Sequence, residues 1–318
     1  RVIAVVLLYY ALMMPVRHSL VAISPEAAPG TPLFGTFVNG YSYGIVFGAW
    51  GLILAPYFTK HVRWVQFGSL MVACECVLIT QARSAYLQVL LLICLLWGLR
   101  KTFEFRHLRV PVASGFLVLV FIIIGATGFG IQFRGDKGPI STQFYRVSTL
   151  SLFGAHSADY KDWERGDAMV GSAYTRVDWW KEVVEKVFES TENAMFGLGF
   201  HQPLGAIPGI HVPVQLMNAH GTFATVLGRF GLTGLLACLS ILAYTFSVLI
   251  ACLRRIEAGV AKALMAWLLI AFSLFTFAGI WGTWFDAPNH AISFYILIGF
   301  TLATIRRFNA ERVDFVSD

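Results

Sequence analysis

From Ala224 to Cys252 the chain is almost wholly apolar, and that run is long enough to cross a bilayer with some tilt. Similar blocks recur along the sequence. Eight spans can be read: Val2–Met14, Phe37–Tyr57, Trp64–Thr80, Tyr86–Trp97, Val110–Gln132, Thr222–Cys252, Ala263–Trp281 and Ala291–Ile305. Hydrophobic residues make up 57% of the chain and charged ones 13%, against about 45–50% and 25% in ordinary soluble domains. With the apolar residues gathered in blocks of spanning length, the reading is an all-α, polytopic transmembrane helical bundle. The chain opens at Arg1 and is hydrophobic by Val2, so further spans are expected before it.

Orientation follows from the short loops. Twelve basic residues share one side: Lys60, Arg63, Arg100, Lys101, Arg106, Arg109, Arg254, Arg255, Lys262, Arg306, Arg307 and Arg312. Arg17 and Arg83 fall on the other. The basic side is the cytoplasmic one by the positive-inside rule. The net charge of +6 is thereby accounted for without nucleic acid. Residues 1–132 are then membrane helices, 133–218 one large outer loop, and 219–318 membrane helices with a cytoplasmic C-terminus. All five cysteines lie in apolar blocks, so no disulfide framework is expected.

The outer loop is too polar for lipid, and part of it is helical by pattern. Val177, Trp180, Val184, Val187 and Phe188 form an apolar stripe over Tyr174–Ser190, opposite Asp178, Lys181, Glu182, Glu185 and Lys186. Thr175 with Asp178 reads as a capping pair, which makes Arg176 the first helical residue. The stripe is expected on the membrane surface or on the tops of the spans.

His220 falls where this loop meets the Thr222–Cys252 block. A histidine there is neutral near pH 7 and can take a proton, or it can simply hydrogen-bond at headgroup level. Arg176 at a helix start suits an anion, and it could equally pair with Asp178 or Glu164. Arg83, in the outer turn Gln81-Ala82-Arg83-Ser84-Ala85, could meet a substrate phosphate or a lipid phosphate. Glu75 and Arg229 lie within spans, as a buried structural pair or as part of a transport path. Nine residues put Arg229 on the helix face opposite His220, unless Gly228 or Gly231 breaks the helix. Gly221, Ala224, Gly228 and Gly231 leave one side small for close packing. His201, His211 and His220 are too evenly spread for a metal motif, the outer aspartates form no Asp-x-Asp pair, and no nucleotide-binding loop is present. No metal and no cofactor are expected.

Four stretches together are similar to the superfamily of bacterial O-antigen ligases and polymerases. His220-Gly221, nine residues, then Gly231-Leu232-Thr233-Gly234 resembles the ligase histidine signature, with Gly221 where Asn, Ser or Gln is usual. Gln81-Ala82-Arg83-Ser84-Ala85 resembles its Ser-Arg-Gly turn, with Ala82 in the serine position. Gly35-Thr36-Phe37-Val38-Asn39 resembles a span opening. Arg176 to Trp180, followed by Phe196-Gly197-Leu198-Gly199-Phe200, resembles its outer arginine helix and Gly-x-Gly turn. The pieces run in order from about Gly35 to Ala237.

The resemblance implies an enzyme of the Gram-negative inner membrane with its site facing the periplasm. Its donor would be a glycan linked to undecaprenyl pyrophosphate, and its acceptor a hydroxyl of the lipid A core. His220 would be the catalytic base, with Arg83 and Arg176 on the pyrophosphate. Direct attack by the acceptor would invert the anomeric centre. An O-antigen polymerase uses a similar donor, and a protein O-glycosylating relative is a third possibility. From another class, a flippase or transporter should show paired halves with interrupted helices.

Overall fold

The computed structural model describes residues 26–28, 31–32, 41–80, 83–109, 111–116, 173–200, 203–210, 221–281 and 288–314. These are overwhelmingly helical. The exception to the all-helical expectation is a short antiparallel ribbon of β1 (Glu26–Ala28) and β2 (Thr31–Pro32), with Ala28 opposite Thr31. The Pro29-Gly30 dipeptide between them is a turn signal in the sequence. The expected span at Val2–Met14 lies outside the described residues, as does Val110–Gln132 beyond the helical residues 111–116.

The chain divides into two compact units, Arg1–Phe153 with Leu249–Leu274, and Gly154–Val248 with Phe275–Asp318. In the first, α1 (Tyr41–Phe58), α2 (Val62–Thr80) and α3 (Arg83–Thr102) follow one another with short connections. They coincide with three of the expected spans. Ile45, Ala49, Leu52 and Ile53 of α1 are fully buried. A Cβ on Gly48 would come within 2.9 Å of the Ser69 carbonyl, so glycine sets how closely α1 and α2 approach. The Gln66 side-chain amide donates to the Leu52 carbonyl at 3.0 Å and is thereby satisfied in a buried position. Trp267 donates its indole N–H to the Val46 carbonyl at 3.1 Å, tying α7 (Val260–Trp281) to α1 within this unit.

After α3 the chain turns sharply. Glu104 takes a left-handed conformation (φ 61°), a helix-stop position that glycine usually fills. A non-glycine residue there costs about 1–2 kcal/mol. A 3₁₀ turn at Arg106–Leu108 follows, pinned by Phe105 (5% exposed) and Leu108 (fully buried).

The second unit holds α4 (Ala173–Val187), α5 (Thr191–Phe196), a 3₁₀ turn at Leu204–Ala206 and most of α6 (Thr222–Arg255). It also holds α8 (Pro288–Asp314). Ser190 caps α5, its hydroxyl accepting from the Asn193 N–H at 3.1 Å. Among the described residues two helices are long and apolar enough to cross a membrane, Thr222–Arg255 and Val260–Ile280. Of the most apolar window of Thr222–Arg255 only 22% is buried, against 67% for the other. Leu236, Ile241 and Tyr244 of α6 are among its outward-facing side chains.

Two local expectations for α4 are corrected. The helix begins at Ala173, so Thr175 lies inside its first turn and is not the N-cap; Arg176 stays in that first turn. The buried face is Trp179, Val183 and Val187, whereas Val177, Val184 and Phe188 are exposed. The helix carries two overlapping apolar stripes, and the one that meets partners in space is the one buried. Those partners are Leu204, Ile207, Ile210 and Leu227.

Candidate functional site

The site is built on the first three turns of α6. The Thr225 N–H donates to the Gly221 carbonyl at 2.9 Å, so the helical ladder starts at Gly221. His220 itself lies outside the described residues, but the chain order puts it immediately before this helix start. There a helix carries its partial positive charge. Arg83 is the first residue of α3, and Arg176 stands in the first turn of α4. Each of the three candidates is thus at or next to a helix N-terminus, the end that favours anions.

Helices α4 and α6 meet through small residues. A Cβ on Gly221 would come within 2.7 Å of the Trp180 indole, and one on Gly228 within 2.9 Å of Val183. The expected small face of α6 is therefore used for packing against α4. From Trp180 to Val183 and from Gly221 to Gly228 the contacts advance in the same sense along both helices. Arg176, one turn before Trp180 and on the same side of α4, therefore stands at the end of α4 that meets the start of α6. The same end of the unit holds the backbone of Arg176 and the helix start at Gly221. Arg83 belongs to the other unit.

A second feature is the helix break that Gly228 or Gly231 was expected to allow. α6 is broken at Gly231, whose backbone is left-handed (φ 65°, ψ −160°). A break there strips the Gly228 and Arg229 carbonyls of their ordinary partners four residues on. The Gly197–Phe200 turn fills the gap: the Leu198 N–H donates to the Gly228 carbonyl at 2.7 Å and the Gly199 N–H to the Arg229 carbonyl at 3.3 Å. Thr233 donates its hydroxyl to the Met195 carbonyl at 2.7 Å. Gly197 (φ 79°) and Gly199 (φ 74°) both need the left-handed region. The approach is as close as backbone allows, since a Cβ on Gly231 would meet the Gly197 nitrogen and the Met195 oxygen at 2.6 Å.

Arg229 completes this joint. It is 5% exposed, donates from Nη1 to the Gly199 carbonyl at 2.7 Å, and lies 5.4 Å from the centroid of the Phe200 ring. Phe200 in turn stacks edge-on against Phe230 at 4.9 Å. Arg229 thus ties α6 to the Gly-x-Gly turn. The side chain of Glu75 lies outside the described residues. Because the break falls after Arg229, residues 222–230 remain one helical run, and Arg229 keeps to the side away from the helix start.

Sequence reasoning missed the pairing of the Gly-x-Gly turn with the helix break. Its signals are the glycines themselves, Gly197 and Gly199 in the turn and Gly231 in the helix. Among the described residues no three His, Cys, Asp or Glu side chains cluster as a metal ion would require, and Asp159, Asp162 and Asp167 lie outside them. The chain matches no family model and no curated protein.

Proposed function

We propose that this chain is a multi-pass membrane glycosyltransferase of the O-antigen ligase type, working at the periplasmic face of a Gram-negative inner membrane. It transfers a glycan from undecaprenyl pyrophosphate to a hydroxyl of the lipid A core. His220 removes the acceptor proton, and Arg83 and Arg176 offset the charge growing on the departing pyrophosphate. No cofactor takes part.

The observation that carries the reading is the joint between the outer segment and α6. Three stretches of the family-like pattern, from Arg176 to Trp180, from Phe196 to Phe200, and the glycines at Gly221 and Gly231, meet on one another in space. α4 meets α6 through Trp180 and Val183, and the Gly197–Phe200 turn meets it through backbone hydrogen bonds beside Gly231. Membrane insertion is supported by the largely uncovered apolar surface of α6, which a soluble core helix would bury.

An O-antigen polymerase would share the donor and differ in the acceptor. For a transporter, the break at Gly231 is the relevant observation, because interrupted helices often bind ions through freed carbonyls. Here those carbonyls accept from Leu198 and Gly199, which favours the enzyme. The test is transfer by the purified chain from lipid-linked glycan to rough lipopolysaccharide, read as a ladder on the lipid A core. A ladder only on lipid-linked glycan would mean a polymerase.

A further inference from the structure

At the end of α3 opposite Arg83, Arg100, Lys101, Arg106 and Arg109 surround a cleft of about 470 Å³, with Glu104 as its acidic member. Three segments supply these residues: the last turn of α3, the left-handed turn at Glu104 and the 3₁₀ turn after it. Basic residues at a membrane boundary need no explanation beyond topology. Their convergence on one concavity from three segments does. The cleft lies within the size range of small-ligand sites. Among the described residues the ion pairs lie elsewhere, at Lys181–Glu185 and Lys186–Glu189.

The wall of the cleft is held from behind. Phe105 and Leu108 are buried, and the His107 ring meets Phe105 edge-on at 5.7 Å and Tyr57 at 6.2 Å. The cations therefore project from a fixed turn. Close by along the chain, Trp97 on α3 and Trp64 on α2 are 48% and 75% exposed. Both sit at the end of their helices that carries the basic loop, where tryptophan anchors a helix at headgroup depth.

We infer that this cleft is a binding site for a phosphate group, supplied by the headgroup of an anionic phospholipid in the cytoplasmic leaflet. Arginine forks match phosphate oxygens bidentately, and four cations outweigh the one carboxylate. The membrane reading above enters only in the choice of lipid over free phosphate. The site is separate from the glycan-transfer chemistry.

The test uses the full chain in detergent with added phosphatidylglycerol or phosphatidylcholine, and counts retained lipid by native mass spectrometry. Wild type should retain phosphatidylglycerol preferentially. An Arg106→Gln/Arg109→Gln double variant should lose about fivefold per arginine, roughly 25-fold in all. Glu104→Gln should bind more tightly than wild type, a gain that a misfolded variant cannot produce. Inorganic phosphate is the second arm: binding of phosphate without lipid preference would keep the site and change its source. Equal retention of phosphatidylglycerol by wild type and both variants, with no response to phosphate, would overturn the inference. None of these readings depends on glycan transfer.

Discussion

On the proposed reading His220 and the arginines carry the chemistry, and each makes a separate demand on substitution. Loss of a positioned general base typically lowers rate by about 10²–10⁴. His220→Ala should show that loss in transfer assays while inserting and folding as wild type does. Lysine at position 83 or 176 keeps the charge and loses the bidentate fork, so each change should impair transfer. Gly197 and Gly231 make a structural demand. Alanine at either meets backbone, at 2.6 Å from the Gly231 nitrogen or the Gly197 nitrogen respectively, in a conformation that side chains resist. Each substitution should cost about 2–4 kcal/mol, read as a lowered thermal midpoint, with transfer lost as the turn lifts from α6. His107 makes a third demand. Burial lowers its pKa below the ordinary histidine value, against a smaller opposing pull from the hydrogen bond to the Ile53 carbonyl. The unfolded chain therefore binds this proton more readily than the folded one. Stability present above about pH 6.5 should decline as pH falls through that value towards the folded pKa. His107→Gln should flatten that part of the midpoint-versus-pH curve, and an unchanged curve would show that the ring titrates alike in both states.

Helix α4 shows how an element acquires its orientation. Trp179, Val183 and Val187 face Leu204, Ile207, Ile210 and Leu227, while Val177 and Val184 stay outside. Trp179→Ala should therefore cost about 3–5 kcal/mol. Val177→Ser, on the exposed side, should stay within about 0.5 kcal/mol. Equal effects from the two would put the helix back on the face that its sequence pattern suggested. The helices themselves were legible, because block length alone separates α1, α2, α3, α6, α7 and α8. The rotation of α4 was not, since two stripes one residue apart share Trp180 and Val187 at their margins. Nor was the joint between Gly197–Phe200 and the break at Gly231. About thirty residues separate its halves, and neither carries a sign of its partner beyond glycines that also suit ordinary helix packing. His220 lies outside the described residues, and its place before α6 rests on chain order.

Within the second unit the Gly197–Phe200 turn and α4 pack on α6, and within the first unit a basic cleft lies at the Arg100–Arg109 turn. A transporter needs its helix breaks open to the substrate. This chain closes its break at Gly231 with its own backbone, and the proposed function puts the chemistry at the start of α6. Guanidinium groups in a cavity shielded from water can offset pyrophosphate charge without a metal ion. The most direct measurement is transfer by the purified chain, with lipid-linked glycan and lipid A-core acceptor, in excess EDTA. A ladder on the lipid A core should form with the wild-type chain and be reduced at least about a hundredfold with His220→Ala. Absence of transfer from the wild type, or equal transfer by the two proteins, would contradict the account.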